Sequence, residues 1–146
     1  MFKFAAFGVD KLLDQLNKLH SKYQDKRSIS NQIANIEKQD IRTRIGVSKV
    51  APDGTPWAPW KQSTLIYRTN KGNVNRGLLF DSGRLLNSIE IFQTDSSFAV
   101  GTSLSYAPYL NNGTDKMPGR KFMGLSQQAK DQIEKILQSH IGLPKV

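Results

Sequence analysis

Few side chains in this chain of 146 residues have the types and spacing that catalysis requires. Its two histidines, His20 and His140, each follow a helical pattern, where an imidazolium interacts favourably with the negative end of the helix dipole. The HExxH pattern is absent and neither histidine has a second one nearby, so a zinc site lacks ligands. Cysteine is absent too, which excludes disulfides and thiol nucleophiles. We therefore expect no metal and no cofactor.

The remaining polar residues offer no recognised catalytic arrangement. Ser82 lies in Asp-Ser-Gly rather than in a GxSxG elbow, and no phosphate-binding glycine loop is present. The carboxylates occur singly, so their spacing proposes no general acid–base pair. We expect a protein that is not an enzyme, and keep as an alternative a hydrolase assembled from scattered carboxylates. Those carboxylates are Asp53, Asp81, Glu90, Asp95 and Asp115.

Charge is more informative than catalytic spacing. Lysine and arginine number 21 against 12 acidic residues, a net charge of +9, and the stretch 38–76 alone holds eight basic and two acidic residues. Such a potential favours contact with nucleic acid or with acidic protein surfaces, although a solvated basic face has the same composition. The polar, glycine-bearing stretch 68–77 is predicted to be a mobile basic loop. The residues expected to face DNA are Lys61, Arg68, Lys71 and Arg76.

Two tryptophans, Trp57 and Trp60, lie three residues apart in a proline-rich segment that excludes a regular helix. A tryptophan there can be a core residue that fixes the segment, with its indole N–H bonded. It can also anchor a protein interface, or stack on a base beside Lys49 and Lys61. We expect Trp57 to be mostly buried and leave the three interpretations open for Trp60.

Hydrophobic spacing predicts the elements that must position these residues. An amphipathic helix is expected over 9–25. A second helix, whose apolar positions drift around its axis, is expected from a serine cap at 28–31 to about Thr43 with Gly46 as the stop, and a last helix after a cap at Ser126. Stretches 88–94 and 98–101 form a predicted β-hairpin, and Phe2 to Phe4 a short edge strand. Stretch 105–114 is expected to hold one helical turn before a glycine stop at Gly113. The prediction is a single α+β domain over 1–146, a small antiparallel hairpin packed between N-terminal and C-terminal helices. No apolar run suggests a membrane segment, and we expect no secretion signal.

Four segments then form a pattern that is more specific than any of them alone: PDGTPWAPWK (52–61), LLFDSGRLLNSI (78–89), VGTSLSYAPYLNNGT (100–114) and MPGRKFMGLS (117–126). In this order the chain resembles the bacteriophage virion morphogenesis family, also called tail-completion proteins. That family shows D-G-x-x-W-x-P, L-x-x-(T/S)-G-x-L-x-x-S-(I/L), V-G-(T/S)…Y-A-x-x-(H)-Q-x-G and (I/M)-P-x-R-x-F-(L/M)-G-(L/F)-(S/T) elements. This chain departs from it at Leu110-Asn111, where the family often has His-Gln, and in its extra Trp60.

The resemblance implies that certain matched or neighbouring residues serve the fold or a subunit contact. Arg120 and Phe122 are expected on one side of an extended segment, where the guanidinium can bond carbonyls or a carboxylate. The structural and interface candidates are Asp53, Gly54, Trp57, Trp60, Gly83, Tyr106, Tyr109, Arg120 and Phe122.

The resemblance also implies a role: a non-enzymatic virion component at the tail end or the head–tail junction. It is expected to assemble in the host cytoplasm into a homo-oligomeric ring, most plausibly of six subunits. Its expected partners are itself, tail tube or terminator proteins, and neck or connector proteins, with DNA in the channel lumen and no membrane. The alternative, which rests on charge, is a prophage-encoded DNA-binding accessory protein.

Overall fold

The computed structural model describes residues 26–93 and 97–141, and it begins in helix α1 (Lys26–Thr43). The predicted serine cap at 28–31 is wrong, because Ser28 and Ser30 lie inside this helix. Burial of apolar side chains on one face stabilises the helix more than serine's preference for caps opposes it. The predicted end near Thr43 is confirmed. The predicted helix over 9–25, which contains His20 near its end, and the edge strand at 2–4 lie outside the described residues.

The chain leaves α1 through one π-helical turn, Arg44–Ser48, which contains Gly46. The prediction that Gly46 ends the helix is therefore wrong, since the turn ends at Lys49, a left-handed residue with φ 56°. A lysine pays a steric cost in that conformation. Its ammonium group offsets the cost by donating to the carbonyl oxygens of Ile45 and of Leu78, the latter at 2.9 Å.

The remaining elements are short, apart from the last helix. The proline-rich segment was predicted to form no regular helix over 47–62. Residues 49–61 are irregular, with a single bridge between Val50 and Pro56, whereas 47–48 close the π-helical turn and 62 begins the next helix. Strands β1 and β2 pair antiparallel, with Glu90 opposite Gly101 and Gln93 opposite Phe98, which confirms the predicted hairpin. The elements after α1 are α2 (Gln62–Asn70), a 3-10 turn (Val74–Arg76), α3 (Arg84–Asn87), β1 (Glu90–Gln93), β2 (Phe98–Gly101), α4 (Ala107–Asn112), β3 (Gly113–Thr114), β4 (Met117–Pro118) and α5 (Gln127–Ile141).

The core lies where α1 crosses the β1–β2 hairpin and α5. The predicted α+β fold, a small antiparallel sheet with helices from both halves of the chain, is confirmed. Each large apolar side chain buried there stabilises the fold by about 1.5–3 kcal/mol relative to its exposed state. The buried core consists of Ala34, Ile41, Ile45, Trp57, Leu85, Ile89, Val100, Ala107 and Phe122.

The stretch 68–77 is not one continuous loop. Its first three residues continue α2 and 74–76 form the 3-10 turn, so only the residues between and after them are irregular. The expected mobility of this stretch stays a prediction. The predicted cap of the last helix is confirmed, because the Ser126 hydroxyl accepts the Ala129 N–H at 3.2 Å. No helix among the described residues has the length and apolar character needed to cross a membrane.

Candidate functional site

The segment 118–126, here called the strap, connects β4 to α5 and is held by side chains from distant parts of the chain. Arg44 is 1% exposed, and its Nη1 donates to the carbonyl oxygens of Phe122 at 2.6 Å and Gly124 at 2.9 Å. Its Nη2 forms an ion pair with Asp40 Oδ2 at 2.7 Å, one helical turn earlier. The carboxylate of Asp40 also accepts the backbone N–H and the hydroxyl of Ser126 at 2.8 and 2.6 Å. Arg44 and Asp40 therefore join the end of α1 to both the strap and the start of α5.

Two residues that the sequence singled out connect the strap to the proline-rich segment. Trp57 is 7% exposed and its indole N–H donates to the Lys121 carbonyl at 2.9 Å, so the predicted burial is confirmed. Arg120 makes the reverse connection, from the strap to the proline-rich segment. Its Nε and Nη2 donate to the carbonyls of Ala58 and Pro59 at 2.9 and 3.0 Å. Burial lowers the pKa of the Arg120 guanidinium. Phe122, between these contacts, is 1% exposed and belongs to the core.

Asn111, one of the two residues that depart from the family pattern, has a structural task. Its side-chain oxygen accepts the backbone N–H groups of Phe122 at 3.0 Å and Met123 at 3.1 Å. Gly113, two residues later, confirms the predicted glycine stop: it has φ 84°, and a Cβ there would lie 2.4 Å from the backbone nitrogen of Gly119. At this position the chain has the amide of Asn111 where the family often has that of a glutamine, and the Asn111 amide connects α4 to the strap.

On the other side of Arg120 lies a concave surface, here called the groove, of about 510 Å³ between α2, the turn before α3, and the α4–β4 region. Five cations and one carboxylate line it: Lys61, Arg68, Arg84, Lys116 and Arg120 against Asp81. Its apolar part is formed by Leu79, Leu85, Leu110, Met117 and Pro118, with the rings of Trp60 and Tyr106.

Arg68 is the most unusual group in the groove. Its guanidinium lies 4.6 Å from the centroid of the Trp60 ring, a cation–π contact that holds it flat. Its Nη1 is 3.7 Å from Asp81 Oδ1, too far for a hydrogen bond. That nitrogen is buried, and no atom in residues 26–93 or 97–141 accepts a hydrogen bond from it. An unmet buried donor normally costs about 1–3 kcal/mol, which a bound acceptor would recover.

The structure divides the predicted site residues between several places. Trp60, Gly83, Tyr106 and Arg120 line the groove, as do two of the residues expected to face DNA, Lys61 and Arg68. The others lie elsewhere: Trp57 and Phe122 are in the core, while Tyr109, Lys71 and Arg76 are exposed outside the groove.

Asp53 and Gly54 form the tip of the 52–55 turn and line a separate concavity beside Asp40 and Arg44. Asp53 Oδ1 accepts the Thr55 N–H at 2.9 Å, and hydrogen bonds with Thr55 hold the pKa of the exposed carboxyl below its usual value. Gly54 has φ 86°, which the turn requires. This pair therefore shapes a turn and contributes nothing to the groove.

Several of the cations of stretch 38–76 are bound to groups of the chain itself. Besides Arg44 and Lys49, Arg42 donates to the Leu86 carbonyl at 3.1 Å, and Arg76 to the Asp81 carbonyl at 2.7 Å. The ammonium of Lys71 lies over the ring of Tyr67, and a hydrogen bond with the Tyr67 side chain raises the pKa of Lys71. Contact of Lys61, Arg68, Lys71 and Arg76 with DNA stays a prediction.

Sequence reasoning missed Arg44, Asp40 and Arg84. The spacing of Asp40 and Arg44, four residues apart in a predicted helix, was an available signal of an ion pair. No signal in one sequence identifies the carbonyls 78 and 80 residues away that Arg44 binds. His140, which was predicted to follow the last helix, lies inside the last turn of α5. Within the described ranges, no three histidine, aspartate or glutamate side chains are grouped to hold a metal ion.

Comparison with known proteins agrees with this arrangement of motifs. The model of the phage virion morphogenesis family matches residues 8–142. Mu-like prophage FluMu G protein 1 from Haemophilus influenzae is 25% identical over 136 residues, which cover 92% of each chain. No solved structure matches. The chain belongs to the phage virion morphogenesis family.

Proposed function

We propose that this protein is a structural, non-enzymatic subunit of the phage virion that completes the tail and joins it to the head. It works as a homo-oligomeric ring, most simply of six subunits, at the tail end or neck. Support comes from the family, whose description is virion morphogenesis, and from similarity to a protein of a Mu-like prophage over nearly the whole chain. The work is geometric, since a ring must present defined faces to its neighbours and to the tail.

The observation that carries the proposal is helix α2, which has a possible contact surface on each side. Lys61, Thr64 and Arg68 line the groove and follow helical spacing, so they occupy one face. Ile66 lies on the opposite face and is 52% exposed, and its neighbour Tyr67 is 58% exposed. No residue of this helix is buried. A helix that contributes nothing to the core and exposes large apolar side chains is typical of an interaction surface.

The outer face of α2 suits one side of the contact in a heterologous ring. In such a ring each subunit uses one patch to bind a different patch of its neighbour, so that rotation closes the assembly. The outer face of α2, with Ile66 and Tyr67, provides an apolar contact for the neighbouring subunit. The groove remains open for another component of the head–tail junction.

DNA binding by a basic accessory protein is the weaker candidate. Its main support was the excess charge of stretch 38–76, and three of the eight cations there, Arg42, Arg44 and Lys49, are buried or half-buried and bind carbonyl oxygens of the chain itself. Cations that neutralise phosphates need to be free at the surface.

The test combines oligomeric state with location. Size-exclusion chromatography with light scattering and negative-stain electron microscopy should show rings for the wild-type protein, and gold-labelled antibody should bind at the head–tail junction of virions. Ile66→Ser should reduce ring formation without lowering the melting temperature, because an exposed side chain contributes little to the fold. A monomer that binds duplex DNA in a salt-sensitive manner and is absent from virions would contradict the proposal.

A further inference from the structure

We infer that the groove binds an acidic peptide segment of a second, non-identical virion protein, with an apolar side chain between its carboxylates. This inference rests on the proposed function, because it names the partner of a surface that the ring would present. It commits to one occupant, and the argument for that occupant starts from charge. Five cations against one carboxylate give the groove a positive lining. Lys61 and Arg120 already donate to chain carbonyls, so Arg68, Arg84 and Lys116 are the cations that remain for a ligand.

The first step concerns Arg68, which defines where a carboxylate would bind. The stacking on Trp60 at 4.6 Å fixes the plane of the guanidinium, and Nη1 has no acceptor among the described residues. Asp81 is drawn towards it but stays 3.7 Å away. A planar guanidinium held in this way binds a carboxylate with little further loss of side-chain freedom. Because Nη1 is itself covered by the chain, an incoming carboxylate would have to take the place of Asp81, and it would then supply the acceptor that Nη1 lacks.

The second step distinguishes a peptide from a nucleic acid. A surface that follows a phosphate backbone needs cations along an exposed path and gains little from aliphatic side chains. In the groove, by contrast, Leu79, Leu85 and Met117 lie among the cations. An apolar part with charged groups beside it is the composition of sites that take an apolar anchor residue flanked by acidic ones.

The third step excludes a second copy of this chain as the occupant. The twelve aspartates and glutamates are never adjacent in the sequence, so no segment of the chain offers a run of carboxylates. A second copy also brings a net charge of +9 to a groove that is itself positive. The acidic segment must therefore come from another protein.

The test uses a fluorescein-labelled peptide of alternating glutamate and leucine, seven residues long, and measures binding to the full chain by fluorescence anisotropy. We expect the peptide to bind and a version with glutamine in place of glutamate to bind at least about tenfold more weakly, because charge-assisted hydrogen bonds are lost. Binding should also weaken as salt rises.

Variants of the groove should change the affinity in opposite directions. Arg68→Gln should weaken binding by about tenfold, and Arg84→Gln, at an exposed residue, should weaken it less. Asp81→Asn should strengthen binding, because it removes the one carboxylate that competes for Arg68. The matched control Lys135→Gln, an exposed cation of α5 outside the groove, should leave it unchanged.

Three results would overturn the inference: equal binding of the glutamine peptide, equal losses in Arg68→Gln and Lys135→Gln, or tighter Arg68-dependent binding of a 20-nucleotide oligo-dT than of the acidic peptide. The last would assign the groove to nucleic acid. The assay is independent of assembly. If the protein binds the peptide but forms no rings, only the proposed function is contradicted. If it forms rings that do not bind the peptide, only this inference is contradicted.

Discussion

Arg44 and Arg68 belong to the same basic stretch of sequence, yet the strap and the groove use them in opposite ways. Arg44 is 1% exposed, and two strap carbonyls and Asp40 accept its hydrogen bonds at 2.6–2.9 Å. Arg68 is held against Trp60 while one of its nitrogens is buried with no acceptor in the described chain. The hydrogen bonds of Arg44 are thus complete within the chain, whereas the groove keeps one donor without an acceptor among the described residues. Local charge density does not reveal this difference, which depends on what surrounds each guanidinium.

Trp57→Ala, which removes a contact to the strap, is expected to lower the free energy of unfolding more than any other change. Truncating a buried aromatic residue costs about 3–5 kcal/mol of unfolding free energy. The lost indole bond to Lys121 adds to that cost. Urea denaturation followed by circular dichroism measures the change, and Trp57→Phe, which keeps most of the volume, should lose much less. An unchanged melting temperature combined with failed assembly would instead make Trp57 an interface anchor.

Arg44→Met tests whether the strap depends on the buried ion pair. Removing one partner leaves the Asp40 carboxylate and the carbonyls of Phe122 and Gly124 without their donor, at a cost of about 3–5 kcal/mol. Changing Asp40 to asparagine in the same chain should recover part of the loss, since no unpaired charge then remains. Lys135→Met, a matched change at an exposed cation, should stay within about 0.5 kcal/mol. Equal losses in the two methionine variants would contradict the account.

Arg120→Lys tests a residue that belongs to both regions, because Arg120 donates to the carbonyls of residues 58 and 59 and also lines the groove. A lysine cannot supply two donors in one plane, so we expect a loss of about 1–3 kcal/mol. Thermal unfolding together with complementation of a phage lacking the gene would measure both consequences. Wild-type stability and full infectivity would refute a role for the planar guanidinium.

Arg68→Gln should have the smallest effect on stability, within about 0.5 kcal/mol, because it removes a buried donor that was never satisfied. Arg68→Gln should instead lower the yield of joined particles. Urea denaturation provides the check, with Lys135→Gln as the comparison. A loss of about 2 kcal/mol or more would show that Arg68 supports the fold as Arg44 does, and the distinction between strap and groove would disappear.

Local patterns predicted the parts of the fold that local physics determines. The hairpin, the end of α1 at Thr43, the Ser126 cap and the stop at Gly113 each depend on a few neighbouring residues. Gly46 was predicted wrongly because the helix is continued by contacts that the sequence does not show, namely those of Lys49 with Ile45 and Leu78.

The candidate site was predictable only in part. Sequence reasoning singled out Trp60, Tyr106 and Arg120, and the structure brings all three to the groove. It treated Arg68 as part of a mobile loop, whereas α2 extends to Asn70 and places that side chain on Trp60. Whether a cation faces solvent, a carbonyl or a ring is decided by tertiary contacts, which composition and spacing do not contain.

The most direct measurement of the central claim is the yield of joined, infectious particles from a phage that lacks this gene and is complemented by single variants. We predict that Arg68→Gln and Arg84→Gln, both folded, produce heads and tails that stay largely separate under the electron microscope, while Lys135→Gln restores wild-type yield. Wild-type yield from the two groove variants would contradict the claim that the groove joins this subunit to its partner.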